Sequence, residues 1–144
     1  SIVGGSTNTI KGWGCATFGH DNSNQGHSSG TNYSIVSGRR NDSLLTYGGM
    51  FGAGLYGDSH GTTIVGQANI ANNYSNGSPN IQQPKFIVGN GTVEGNNAGV
   101  RSDGLIVRQG GQVEAPSLSE AEIDAGDDKI LVTKEWVLAQ IAGL

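Results

Sequence analysis

Three histidines, one cysteine and a thin scatter of carboxylates are the groups through which this sequence could do chemistry. His20 and His27 stand seven residues apart and His60 follows 33 later. In a symmetric trimer one axial histidine would become three, enough in principle for a metal shell. No His-x-His spacing occurs, however, and the expectation is exposed loop histidines and no metal. The single Cys15 forms no intrachain disulfide and offers no metal pair. Gly26-His27-Ser28-Ser29-Gly30 fits G-x-S-x-G, but Asn22 to Gln25 before it reads as loop and Tyr33 to Val36 after it as strand. A nucleophile elbow needs the reverse, strand before and helix after. Gly52-Ala53-Gly54-Leu55-Tyr56-Gly57 fits the dinucleotide fingerprint G-x-G-x-x-G, yet Asp58-Ser59-His60-Gly61 follows as a further turn. No helix N-terminus is predicted there to hold a pyrophosphate, and no acidic residue follows about 20 positions on. Glycoside cleavage asks for two carboxylates flanking a sugar bond. The acidic residues gather from Glu114 to Glu135, while the first half offers only Asp21, Asp42 and Asp58. The expectation is therefore a non-enzymatic chain without catalytic residues or cofactor.

Aromatic side chains are the better candidates for a contact role. Trp13, Tyr33, Tyr47, Tyr56 and Tyr74 lie beside Gly or Asn corners, where a ring can stack on a sugar or anchor a protein contact. The same rings could face a core or a subunit seam, and the sequence leaves both open. The Asn-x-Ser/Thr triplets at Asn32, Asn41, Asn73, Asn76 and Asn90 follow from composition alone.

The elements that position these residues must be β. Of 144 residues 25 are glycine, which favours turns over helix interiors. Net charge is only −4 and apolar clusters recur, so the chain lacks the signature of disorder. Arg39-Arg40 is the only adjacent basic pair, which leaves no stripe to neutralise phosphates and predicts no nucleic-acid partner. No apolar run approaches the roughly 20 residues that span a bilayer, so no membrane insertion is expected. Ser1 opens the sequence with no signal-peptide pattern, and the expectation is a fragment or a processed product.

An apolar pair followed by Gly or Ser recurs at Ile2-Val3-Gly4, Thr17-Phe18-Gly19, Ile35-Val36-Ser37, Met50-Phe51-Gly52, Ile64-Val65-Gly66 and Ile87-Val88-Gly89. Weaker echoes stand at Ile10-Lys11-Gly12, Thr46-Tyr47-Gly48 and Leu55-Tyr56-Gly57, which gives a step of about seven residues, two to a unit. Strands this short bury one or two side chains each, so units must stack and share a narrow core. Arg39 to Leu45 and Asn69 to Gln83 are expected to bulge as insertions. So little burial per chain predicts a homo-oligomer.

These residues carry two resemblances. Ser34-Ile35-Val36-Ser37-Gly38 and Thr63-Ile64-Val65-Gly66 resemble the Ser-x-Ala-Ile-Gly repeat of the heads of trimeric autotransporter adhesins. That resemblance covers about residues 1 to 90 and implies a left-handed parallel β-roll in a side-by-side trimer. Phe86-Ile87-Val88-Gly89-Asn90-Gly91-Thr92, Arg101-Ser102-Asp103-Gly104-Leu105-Ile106-Val107, Gly111-Gln112-Val113-Glu114-Ala115-Pro116 and Ile130 to Trp136 are similar to a block common in phage and prophage tail-fibre proteins. In that block Asn-Ala is usual where this chain has Asp103-Gly104. It implies a junction or end of a fibrous, trimeric β shaft, and neither family brings a catalytic site.

Downstream, Leu105-Ile106-Val107 and Gln112-Val113 flank Gly110-Gly111 as a hairpin. Ser117 to Ala125 reads as a short helical turn, and Ile130-Leu131-Val132 as a strand before a helix capped by Thr133. The predicted organisation is a repetitive β-roll-like head over 1-84, a β connector over 85-116 and a strand-helix cap or trimerisation segment over 117-144. The expected function is a homotrimeric structural and receptor-binding module of a phage tail fibre, carried on the virion and facing a glycan or protein receptor on a bacterial surface. Alternatives are a bacterial cell-surface adhesin head and a polysaccharide-degrading tail-spike domain.

Overall fold

The structure, a computed structural model, describes residues 1–11, 13–25, 33–58, 60–70, 82–94 and 97–119, with helical positions at 137, 141 and 142. Its described part is mainly β. Five-residue strands alternate with two-residue strands: β1 (Ile2–Ser6), β2 (Thr9–Ile10), β3 (Ala16–His20), β4 (Ser23–Asn24), β5 (Ile35–Arg39), β6 (Asp42–Ser43), β7 (Gly49–Ala53), β8 (Tyr56–Gly57) and β9 (Thr63–Gln67). After them come β10 (Pro84–Asn90), β11 (Val93–Glu94), β12 (Asn97–Ala98), β13 (Asp103–Arg108) and β14 (Val113–Glu114).

The long strands form one eight-stranded sheet in the order β1-β3-β5-β7-β9-β10-β13-β14, and β2-β4-β6-β8 form a second. Every pairing from β1 to β10 in the long sheet is parallel and in strict register. The sheet then reverses: β13 runs antiparallel to β10, and β14 antiparallel to β13. The hairpin expected around Gly110-Gly111 is thus present. The predicted strand and helix of the last quarter, and the turn beyond Ser119, lie almost wholly outside the described residues.

Register exposes the true repeat. Gly5, Gly19, Gly38, Gly52, Gly66 and Gly89 stand in one column across six strands. The first five have positive φ, from 98° to 153°. A Cβ on any of those five would sit 1.8 to 2.1 Å from the carbonyl oxygen of the next glycine in the column. Only glycine fits there, on backbone conformation and on space together. The sequence triplets ending at Gly4 and Ser37 are therefore one residue out of register. Corrected steps are 14, 19, 14, 14 and 23 residues. The extra residues fall after β4 and after Ile70, in stretches beyond the description. Arg39 to Leu45 is no insertion: it holds the end of β5, a tight corner and β6, and ends on the fully buried Leu45. Thr46-Tyr47-Gly48 likewise belongs to a corner before β7 rather than to a strand.

The corners after β1, β3 and β5 are each closed by an asparagine two residues on. Asn8 Nδ2 donates to Gly4 O (2.7 Å) and to Gly19 O (2.9 Å). Asn22 Nδ2 repeats this on Phe18 O and Gly38 O, and Asn41 Nδ2 on Ser37 O and Gly52 O. Each side-chain oxygen accepts the backbone N–H of the corresponding residue one strand further: Asn22 to Asn8, Asn41 to Asn22, Leu55 to Asn41. Asparagine suits this position because one short side chain both donates and accepts beside its own turn. The preceding residue at these corners (Thr7, Asp21, Arg40) takes φ near 55°.

The core is narrow. Val36, Met50, Ile64 and Ile87 form the inward column of the long sheet, and Leu45 and Leu55 complete the cluster. Val3 begins that column but is 55% exposed, because no strand covers β1 on its outer side.

Candidate functional site

Parallel register turns sequence spacing into columns, and the corner that leads into each long strand builds the most distinctive surface. Gly14, Tyr33, Tyr47 and Gly61 each stand two residues before a long strand. Tyr33 and Tyr47 therefore meet, with ring centroids 5.8 Å apart and planes at 25°, a stacked pair. On its other side Tyr33 lies over Gly14, where a Cβ would come within 2.4 Å of the ring. Both rings remain more than half exposed, and Trp13, beside Gly14, is 77% exposed. Below Tyr47 the column position is Gly61, with no side chain of its own. A Cβ on Gly61 would meet nothing nearer than Lys85 Nζ at 3.6 Å. That ammonium donates to His60 O (3.0 Å) and to Gln83 Oε1 (3.4 Å). His60 is held one strand from Thr46 by a parallel bridge.

Of the five aromatic candidates, Tyr33 and Tyr47 are thus brought together, with Trp13 at the same corner. Tyr56 is on β8 in the other sheet, half-buried. Burial, and then the negative charges of Asp58 and Asp42, push its hydroxyl pKa up. Tyr74 lies outside the described residues, as do His27 and the whole Gly26 to Gly30 match. His20, on β3, bonds through Nδ1 to Ser6 Oγ at 2.8 Å. No group of three metal-ligating side chains occurs among the described residues. The Gly52 to Gly57 match is the corner between β7 and β8, with Leu55 buried inside it, so no helix opens there.

Sequence reasoning missed the polar groups that end the asparagine column. Arg101 Nη1 donates to Gly54 O (3.0 Å) and Asn69 O (2.9 Å), and Ser102 N–H to Ala68 O. Asp103 Oδ1 accepts the Ile70 N–H at 3.0 Å, while Oδ2 is buried with no hydrogen-bond partner among the described residues. Their signal was the Arg-Ser-Asp run itself, read for resemblance but not for bonding. Burial drives the Asp103 pKa up, against the weaker lowering effect of the Ile70 bond. Glu114 goes the other way: a forked pair with Arg108, Nη2 to Oε2 at 2.9 Å, lowers it.

The sign for Asp103 is the reverse of the usual carboxylate. A raised folded-state pKa means the ionised form costs stability, fully so above that pKa. Stability is recovered as pH falls through it towards the ordinary range. Asp103→Asn removes the charge and keeps the acceptor for Ile70. We expect it to raise stability at pH 7 by about 1 kcal/mol, roughly 3 °C in Tm at this length. The gap between variant and parent should narrow as pH falls towards the ordinary carboxylate range, in thermal melts followed by circular dichroism. A constant gap would refute the assignment.

No family model matches the chain, and no curated protein or solved structure does either.

Proposed function

We propose that the chain is a structural, receptor-displaying module of a phage tail fibre, a β-roll-like stack that assembles as a homotrimer on the virion. The observation that carries this is the outer face of the long sheet. Its two central columns read Ile2, Ala16, Ile35, Gly49, Thr63, Phe86 and Gly4, Phe18, Ser37, Phe51, Val65, Val88. Neither column carries a charge. Ile2, Phe18, Ile35 and Phe51 are 42 to 64% exposed. The next column, Ser6, His20, Arg39, Ala53, Gln67 and Asn90, supplies a polar rim. An apolar stripe with a polar edge is the make-up of an assembly interface. A second copy of the chain carries the same ridges at the same strand spacing of about 4.8 Å, so copies can interlock side by side.

The tail-fibre-like block adds support, since its residues build the β10-β13-β14 reversal that ends the parallel stack. A second reading, an adhesin head on a bacterial cell surface, is favoured by the in-register parallel ladder. Both readings require the trimer. Size-exclusion chromatography with light scattering should give three times the 14.8 kDa chain mass, and a stable monomer would overturn both. Phe51→Asp places a charge at the centre of the stripe and should convert the trimer to folded monomer. Retention of the trimer would exclude this face as the seam.

A further inference from the structure

The parallel ladder stops at β1 without a further strand, and the backbone there is set to continue it. We propose that this edge, with β2 behind it, docks one further rung: an extended segment of the pattern apolar-x-Gly-x-x-Asn, running parallel to β1. The site depends on ladder geometry alone, whether or not three copies assemble.

Alternate residues of a parallel strand bond to opposite neighbours. Ile2 N–H donates to Cys15 O and Ser6 O accepts from Asp21 N–H, so Ile2, Gly4 and Ser6 face β3. Val3 and Gly5 therefore turn their N–H and C=O groups to the open side, where no described strand meets them. The asparagine corner is unfinished in the same direction. Asn22 and Asn41 each give their N–H to the asparagine oxygen one strand earlier. Gly19 O and Gly38 O each accept from that same earlier asparagine. Asn8 N–H and Gly5 O hold these places at the open edge, with no such asparagine among the described residues. One incoming asparagine side chain would serve both, since it donates and accepts at once.

The glycine of the docked segment is required for the reason that holds within the column. A Cβ on Gly19 would lie 2.0 Å from Gly38 O, and a Cβ opposite Gly5 O would meet the same clash. Two positions earlier, the apolar side chain lies on Val3, which is 55% exposed although it stands in the inward column. Covering it extends the core by one step. Sheet edges are commonly blunted by charged side chains or proline, and residues 1 to 10 have neither. At the far end β13 already pairs with β10 in the antiparallel sense. A second copy offers the pattern unpaired only on its own β1, among the described residues. Two identical edges meet head to head and antiparallel, which brings no asparagine side chain to Asn8.

The test uses the full chain and a synthetic peptide copying Ser34 to Leu45, which carries Val36, Gly38 and Asn41 in the required phase. Amide exchange is followed by NMR at peptide concentrations up to about 1 mM, the range of a weak strand contact. The amides of Val3, Gly5, Thr7 and Asn8 should gain protection by roughly threefold or more, while those of Ile2, Gly4 and Ser6 stay unchanged. The Gly38→Ala peptide should give no gain, and the Asn41→Ala peptide should bind about fivefold or more weakly. In the protein, Val3→Pro removes an outward N–H and leaves the bonds to β3, so it should abolish docking and still fold. Phe51→Asp should dock the peptide as the parent does, because the outer face takes no part. No gain in protection, an equal gain on every β1 amide, or full binding of the Gly38→Ala peptide would each overturn the site. A lower mass for Val3→Pro than for the parent in light scattering would make a second copy the occupant and overturn it too. The peptide variants decide the question even where Val3→Pro fails to fold.

Discussion

Gly38→Ala should leave almost no folded protein. Gly38 has φ +125°, a region closed to L side chains at ordinary cost. The added Cβ would lie 1.8 Å from Gly52 O, and that oxygen belongs to backbone held in a parallel ladder on both sides. A flexible neighbour could turn away, but a strand in the middle of a sheet must separate from its partner. Asn41 Nδ2 also bonds that carbonyl at 3.0 Å, so separation breaks a buried bond as well. Strain, clash and lost bonds together point to a loss of roughly 4 kcal/mol or more, among the largest single-residue effects. A domain of ordinary stability has about 5 to 15 kcal/mol in all. Soluble yield and Tm should both collapse, whereas Ser37→Ala, one residue away on the outer face, should melt within about 2 °C of the parent. Parental melting by Gly38→Ala would mean that the glycine column is not assembled as described.

Asn41→Ala should rank second, with a loss of about 3 kcal/mol and a cooperative transition still visible. Its side chain is 1% exposed and serves three backbone groups: Ser37 O, Gly52 O and the Leu55 N–H. Alanine leaves all three buried without that partner, and buried orphans cost about 1 to 3 kcal/mol each before relaxation. The next position in the column is Leu55, which has no such bonds to give but buries a large side chain in the core. Alanine at 41 offers neither compensation. Hydrogen exchange gives the sharper readout: the Leu55 amide should lose protection by more than the global destabilisation explains. Loss of protection no larger than at Ile64 would assign Asn41 a lesser role.

Short strands and Gly-rich corners were legible in the sequence because their cause is local. Val36, Met50 and Ile64 alternate with their neighbours, and Gly or Asn supplies each corner. The hairpin at Gly110-Gly111 was legible for the same reason. Register was harder, since Ile2-Val3-Gly4-Gly5 offers two glycines and only contact with Gly19 selects the second. The better signature was Gly-x-x-Asn, present at Gly5 to Asn8, Gly19 to Asn22, Gly38 to Asn41 and Gly66 to Asn69. It went unread because asparagine abundance resembled loop filler, and its role is set by carbonyls on another strand. Among the aromatic candidates, the pairing of Tyr33 with Tyr47 rests on their 14-residue separation, the step from β5 to β7. Tyr56 shares the residue type but not the phase, and so falls on the other sheet. The orphaned Asp103 oxygen had no local signal at all.

Both departures from the 14-residue step fall between a Gly-x-x-Asn corner and the next long strand, in stretches outside the described residues. The Gly-x-x-Asn corner tolerates no added residue, since its bonds span a fixed count of atoms. One edge of the stack is therefore free to vary in length while the other is rigidly metered. Residues added along the first edge leave the glycine column in register on either side of them.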